Sequence, residues 1–129
     1  MNVYQARKVL EAKMNDRCDI YRRVTVINPD GTTSIKLSEE PIYKDIPSRI
    51  SFIRYKVENP SDINIDENVI ENTPKLFLPV FTDIKAGDTV VLNRMSSEGK
   101  ILYTYKGIVG LPATYDTHTE IMLFIDTSA

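Results

Sequence analysis

The chain has no tryptophan, one cysteine, one histidine and only five glycines, and none of its apolar runs is long. Each shortage removes a class of chemistry. A single cysteine, Cys18, cannot close an internal disulfide or build a cysteine-rich zinc site, and it suits a protein kept in a reducing cytoplasm. A lone histidine, His118, gives zinc or iron little to bind. No stretch approaches the roughly 20 apolar residues that span a bilayer, so no membrane association is expected. The first eight residues lack the apolar core of a secretory signal. A glycine-rich phosphate loop is missing too, because Ala86-Gly87-Asp88 leads into an apolar run and not into a helix. The expectation from these absences is a protein with no metal and no cofactor.

What remains is a chain of 129 residues, enough for one domain with one core, of which 42% are apolar. The net charge of −2 hides an asymmetry. Residues 1–56 carry eleven Lys/Arg against seven Asp/Glu, whereas residues 57–73 carry five carboxylates and no basic group. An acidic total disfavours a dedicated nucleic-acid binder. Opposite charges on separate parts of one chain suit self-association instead.

The only helix expected spans residues 2–14. Asn2 is its N-cap, Gln5 completes a capping box, and Val3, Ala6, Leu10 and Met14 form one narrow apolar stripe. Asn15-Asp16 ends it. From Cys18 the period becomes two, with Cys18, Ile20, Val24 and Val26 on one face and Arg22 interrupting it. Asn28-Pro-Asp-Gly31 predicts a turn and Thr32–Leu37 the returning strand. Pro41 and Pro47 break the next segment before Ile50 and Phe52. Leu76–Phe81 and Val90–Leu92, the most apolar short runs, read as core strands joined into a central hairpin. Ile84, Gly87 and Asp88 form its turn. Ser96–Gly99 predicts a further hairpin loop. Gly107 marks a bulge or a close backbone approach. His118–Ile125 is the last strand, with Ile121, Leu123 and Ile125 inward. The predicted fold is mainly β: a small antiparallel barrel of about seven strands, in segments 18–55 and 75–125, with one N-terminal helix and a long extended loop.

That loop, residues 56–74, is the feature least like a linker. Loops beyond about 12–15 residues within a compact domain tend to be functional. Glu58, Asp62, Asp66, Glu67 and Glu71 alternate irregularly with Ile63, Ile65, Val69 and Ile70. Fully extended, such an arm reaches about 60 Å. It is the candidate subunit-interaction element, and Arg22, Arg23, Arg49 and Arg54 are the candidate basic surface it would meet.

Other chemistries fit less well. Cys18, Asp116 and His118 are the residue types of a thiol hydrolase, but no nucleophile signature surrounds Cys18, which falls on an inward strand face. No catalytic residue and no enzymatic activity is therefore expected. Asp62, Asn64 and Asp66 offer part of a calcium-loop spacing without its glycine hinge or closing glutamate. Tyr21, Phe52, Tyr55, Tyr103 and Tyr105, beside the same four arginines, are suited to stacking on nucleic acid, although tyrosine is equally ordinary in cross-strand packing.

Taken in order, Arg17–Arg22, Asp30–Thr33, Asp45–Phe52, Lys75–Leu78, Asp83–Asp88 and Tyr115–Glu120 span most of the chain. Together they resemble the head-closure (head-completion, or stopper) proteins of tailed bacteriophages. More narrowly, the chain is similar to minor structural proteins of prophages of Gram-positive bacteria. Relatives often carry Cys where this chain has Ser48. The resemblance implies a β-barrel subunit of the virion neck, assembled in the host cytoplasm into a ring that closes the DNA-filled head. Sixfold copy number is the family's expectation. The implied partners are further copies of the chain, the portal adaptor above, a tail terminator or tail protein below, and packaged DNA in the channel. A tail terminator, or a small barrel binding nucleic acid or protein, is the alternative.

Overall fold

A computed structural model of the chain describes residues 2–52 and 73–125. One helix, α1 (Val3–Glu11), precedes nine strands: β1 (Asp16–Tyr21), β2 (Arg23–Ile27), β3 (Thr33–Leu37), β4 (Tyr43–Ser51), β5 (Lys75–Pro79), β6 (Thr89–Met95), β7 (Ile101–Val109), β8 (Ala113–Thr114) and β9 (His118–Ile125). Six strands pair in the order β5-β4-β1-β6-β7-β9, and β9 returns to β5, so the antiparallel sheet closes into a barrel. Closure is not uniform along the strands: β7 meets β9 only through Gly107, Ile108 and Val109, so residues 101–106 pair, among the described residues, with β6 alone. The mainly β fold with one N-terminal helix is as the sequence predicts.

Alternation explains the core. Cys18 and Ile20 stand opposite Leu92 and Val90, and Ile50 pairs Leu76, which pairs Ile121 in turn. These side chains, with Leu78, Ile84, Val109 and Leu123, are buried as one cluster. Each such aliphatic side chain contributes about 1.5–3 kcal/mol through its burial. Gly107 is the close approach foreseen from sequence. A Cβ there would lie 2.7 Å from the Phe124 carbonyl oxygen and 3.0 Å from Leu123 side-chain atoms. Only glycine lets β7 and β9 meet at that point.

Local signals also hold. Asn2 Oδ1 accepts from the Gln5 N–H and Gln5 Oε1 from the Asn2 N–H, completing the capping box. Gly31 takes φ +88° while Asp30 Oδ1 accepts from the Thr32 N–H and hydroxyl. Gly99 takes φ +82° in the Ser96–Lys100 turn.

Four expectations are corrected. The helix ends at Glu11, short of Met14, and Asp16 belongs to β1 and is buried. Its carboxylate accepts the N–H groups of Ile50 and Met95, both at 3.1 Å, and so ties β4 and β6 across β1. Second, Cys18–Val26 is not one strand. The chain turns away at Arg22, and among the described residues β2 pairs only with β3, in a separate two-stranded ribbon that leaves Val24 exposed and Val26 half-buried outside the core. Third, β5 and β6 are core strands but not a hairpin, because β5 lies between β4 and β9 and β6 between β1 and β7. Phe81, at the end of the first apolar run, is exposed with φ +64°. Fourth, Pro47 does not break its segment. It sits inside β4 opposite Arg17, before the pairing of β4 with β5 begins at Arg49. A residue without an N–H is tolerated where a strand has one neighbour.

Candidate functional site

Arg22 is the residue at which the barrel hands over to the ribbon. Its backbone carbonyl accepts from the Ser38 N–H, and its own N–H donates to Ser38 Oγ, which closes the ribbon's base. Its guanidinium turns back onto the barrel, where Nε donates to Asp88 Oδ1 and Nη2 to Asp88 Oδ2, both at 3.0 Å. Asp83 adds a longer contact from Oδ2 to Nη1 at 3.3 Å, and the Tyr43 hydroxyl donates to the same oxygen at 2.7 Å.

The turn that presents these carboxylates is the one expected around Ile84, Gly87 and Asp88. Gly87 takes φ +90°, Ile84 is buried, and Asp88 Oδ2 also accepts from the Lys85 N–H at 2.8 Å. Gly87 donates its N–H to the Val109 carbonyl, and Val109 donates to that of Asp88, fastening the turn to β7. The Tyr43 hydrogen bond and the Arg22 charge hold the Asp83 carboxyl below its usual range, while Asp83 raises the Tyr43 phenol. This cluster holds the ribbon in one orientation. All its groups are paired, and it presents no free nucleophile.

The ribbon is exposed on both faces. Leu37, Ile35 and Ile27 alternate along one face with Arg23, Thr25 and Thr33, and Ile35 and Ile27 are 71% and 76% exposed. Val24, Val26, Ser34 and Lys36 make the other face.

A second cluster lies beside α1. The His118 ring stacks on Tyr115 at 5.1 Å and tilts against Phe77 at 5.7 Å. Nε2 is 2.8 Å from Glu120 Oε1 and Nδ1 is 2.8 Å from Thr117 Oγ1, while Lys75 reaches the other Glu120 oxygen at 3.3 Å. A carboxylate only accepts, so Nε2 carries the proton and Nδ1 of the neutral ring accepts from the Thr117 hydroxyl. Burial alone would raise the Glu120 carboxyl, but His118 and Lys75 outweigh it and leave it lowered. Next to this cluster a cavity of about 80 Å³ is lined by Leu10, Lys13, Met14, Arg49, Phe77 and His118. The helix above it is held by Arg7, whose Nε donates to the Asp116 carbonyl at 2.7 Å and whose guanidinium lies 5.5 Å from the Phe81 ring.

The structure separates most of the residues grouped by sequence. Cys18 is buried in the core and burial pushes its thiol up to about 12, far from the pKa of an attacking thiolate. Ser48 lies beside the thiol and lowers its pKa, but burial outweighs that effect, and Ser48 Oγ is itself buried without a hydrogen-bond partner among the described residues. His118 is engaged with Thr117 and Glu120, and Asp116 offers its carbonyl to Arg7. The proposed basic surface is also dispersed. Arg22 is consumed by Asp88 and Asp83, Arg23 stands on the ribbon, and Arg49 lies at the α1 cavity. Arg54, Tyr55 and the arm residues Glu58, Asp62, Ile63, Ile65, Asp66, Glu67, Val69, Ile70 and Glu71 lie outside the described residues.

Of the aromatic group, Phe52, Tyr105 and Tyr103 form a row, with ring centroids 5.6 and 4.7 Å apart, and Arg94 stands opposite Tyr103. Two features escaped the sequence reading. Lys13 carries no local sign of its place at the cavity, and Asp16 none of its two distant amide partners. Among the described residues, no three His, Cys, Asp or Glu side chains are grouped to hold a metal ion. No protein-family model, no curated protein and no solved structure matches the chain.

Proposed function

We propose that this protein is a structural component of the neck of a tailed phage, an architectural part and not an enzyme. In this reading, copies of the barrel form a ring that closes the filled head beneath the portal adaptor and offers a surface to the tail. The observation that carries it is the ribbon. Two strands that pair with no other strand among the described residues, and that expose apolar residues on both faces, are marginal alone in water and suit an element covered by another protein. The resemblance adds a second support. Its segments Arg17–Arg22 and Asp83–Asp88 supply the Arg22–Asp88 pair, which suits a framework role for them.

Antibody or gold labelling of intact particles tests the proposal directly. Label at the head–tail junction is the expected result; particles that carry the protein elsewhere, or lack it, refute the reading. Deleting residues 57–73 is expected to leave a folded barrel that no longer forms rings, and rings that survive the deletion rule out the acidic stretch as the joining element.

A second reading has its own observation, the Phe52–Tyr105–Tyr103 row with Arg94 beside it, which suits stacking of single-stranded nucleic acid. A monomer that binds single-stranded DNA with a steep salt dependence, and loses it on Tyr103→Ala, would favour this reading over a neck protein.

A further inference from the structure

The cavity beside α1 combines two properties that call for one kind of occupant. Its floor is apolar, made by Leu10 and Met14 from the helix end and Phe77 from β5. Its rim is cationic, made by Lys13 and by Arg49, which stands opposite Phe77 in the β4–β5 pairing. Both cations are exposed, and among the described residues neither side chain has a hydrogen bond or an ion pair. Glu120, which stands opposite Phe77 in the β5–β9 pairing, is already shared between His118 and Lys75. A partner side chain there meets uncompensated positive charge and a small apolar hole.

One segment of the chain has the matching chemistry. Residues 57–72 hold five carboxylates and no basic residue, with Ile63, Ile65, Val69 and Ile70 set among them. We infer that this notch receives the 57–72 stretch of a second copy, one aliphatic side chain entering the cavity and flanking carboxylates pairing with Lys13 and Arg49. The inference rests on the ring reading and sharpens it. The docking surface is the helix-side notch and not the Arg22–Arg23 region, where Arg22 already has carboxylate partners. A notch on one side of the barrel and an acidic stretch elsewhere in the chain are also the two unlike surfaces that head-to-tail contacts require.

The test uses the full-length protein and a fluorescent peptide of residues 57–72, followed by anisotropy. Saturable binding that weakens with added salt is expected, and Lys13→Glu/Arg49→Glu lowers the affinity by roughly tenfold or more. The milder pair Lys13→Gln/Arg49→Gln gives a smaller loss, and both proteins melt like the parent because these side chains are exposed and unpaired. Arg23→Glu on the ribbon leaves binding intact. A peptide with Ile63→Ser and Ile65→Ser, its charge unchanged, binds more weakly. The inference is overturned by no binding to the parent protein, by equal binding to the notch variants, or by an equal loss with Arg23→Glu. Failure here with label still at the neck overturns the notch alone; peptide binding by a protein that virions lack overturns the neck reading alone.

Discussion

Arg22 and Asp88, 66 positions apart, meet in a two-point ion pair, Nε to Oδ1 and Nη2 to Oδ2, each 3.0 Å. Asp88 is 3% exposed, so the pair lies where a carboxylate cannot fall back on water. It joins the base of the β2–β3 ribbon, with its exposed Ile27 and Ile35, to the turn before β6 and so ties the ribbon to the barrel.

Removing the arginine leaves a buried charge whose carboxylate keeps, among the described residues, the Lys85 N–H as its hydrogen-bond donor. Arg22→Ala is expected to destabilise the fold by about 2–4 kcal/mol, read from urea denaturation, because the stranded carboxylate keeps its desolvation cost. Arg22→Lys recovers only part of this, since an ammonium cannot make the two parallel contacts. A midpoint unchanged in Arg22→Ala would show that the pair contributes nothing.

The same cluster sets a pH dependence. Tyr43 and Arg22 hold the Asp83 carboxyl below its unfolded value, so its contribution is complete above that value, near pH 3.8, and is lost as pH falls through the lower folded value. The Tyr43 phenol is raised, so its contribution is complete below its unfolded value of 10.0 and is lost as pH rises through the higher folded value. Tyr43→Phe should therefore flatten the stability profile at both ends and leave the neutral region nearly level. Melting temperatures across the pH range provide the check.

At the β7–β9 seam, Gly107→Ala places a methyl 2.7 Å from a backbone oxygen that cannot swing aside. A loss of about 1–3 kcal/mol is expected, with faster hydrogen exchange at Ile108 and Phe124, which face each other there. Gly99→Ala meets nothing within 4 Å, and its φ of +82° is its only penalty, about 1 kcal/mol. A Gly107→Ala protein as stable as the parent would mean that the two strands separate there without cost.

In the core, the Ser48 hydroxyl is buried without a complete hydrogen bond, beside a cysteine whose thiol is itself buried. Ser48→Ala should be neutral or stabilising by about 1 kcal/mol, because an unsatisfied polar group is removed at little loss of volume. Cys18 should resist a thiol reagent in the native protein and react at once in denaturant. Fast native labelling would show that the barrel opens around β1.

Local residues decide the parts of this protein whose hydrogen bonds close within a few positions. The Asn2–Gln5 box, the Asn28–Gly31 turn, the Ser96–Gly99 turn and the alternation of β9 are legible because each depends on neighbours in the chain. Alternation also reveals which face of a strand is wet, and a run of such strands with one helix is enough to predict a small barrel. It does not reveal which strand lies alongside. That β5 pairs β4 and β9 and not β6, that β2 leaves the barrel at Arg22, and that Asp16 serves two amides from β4 and β6 all depend on contacts between distant positions. Closure of the barrel selects among them, because a single arrangement must bury the inward faces and pair the buried backbone groups at once. The same holds for the surface. Four arginines look alike in a sequence, and only packing shows that Arg22 is spent on Asp88 while Arg49, without an ion pair among the described residues, lines the same small cavity as Lys13.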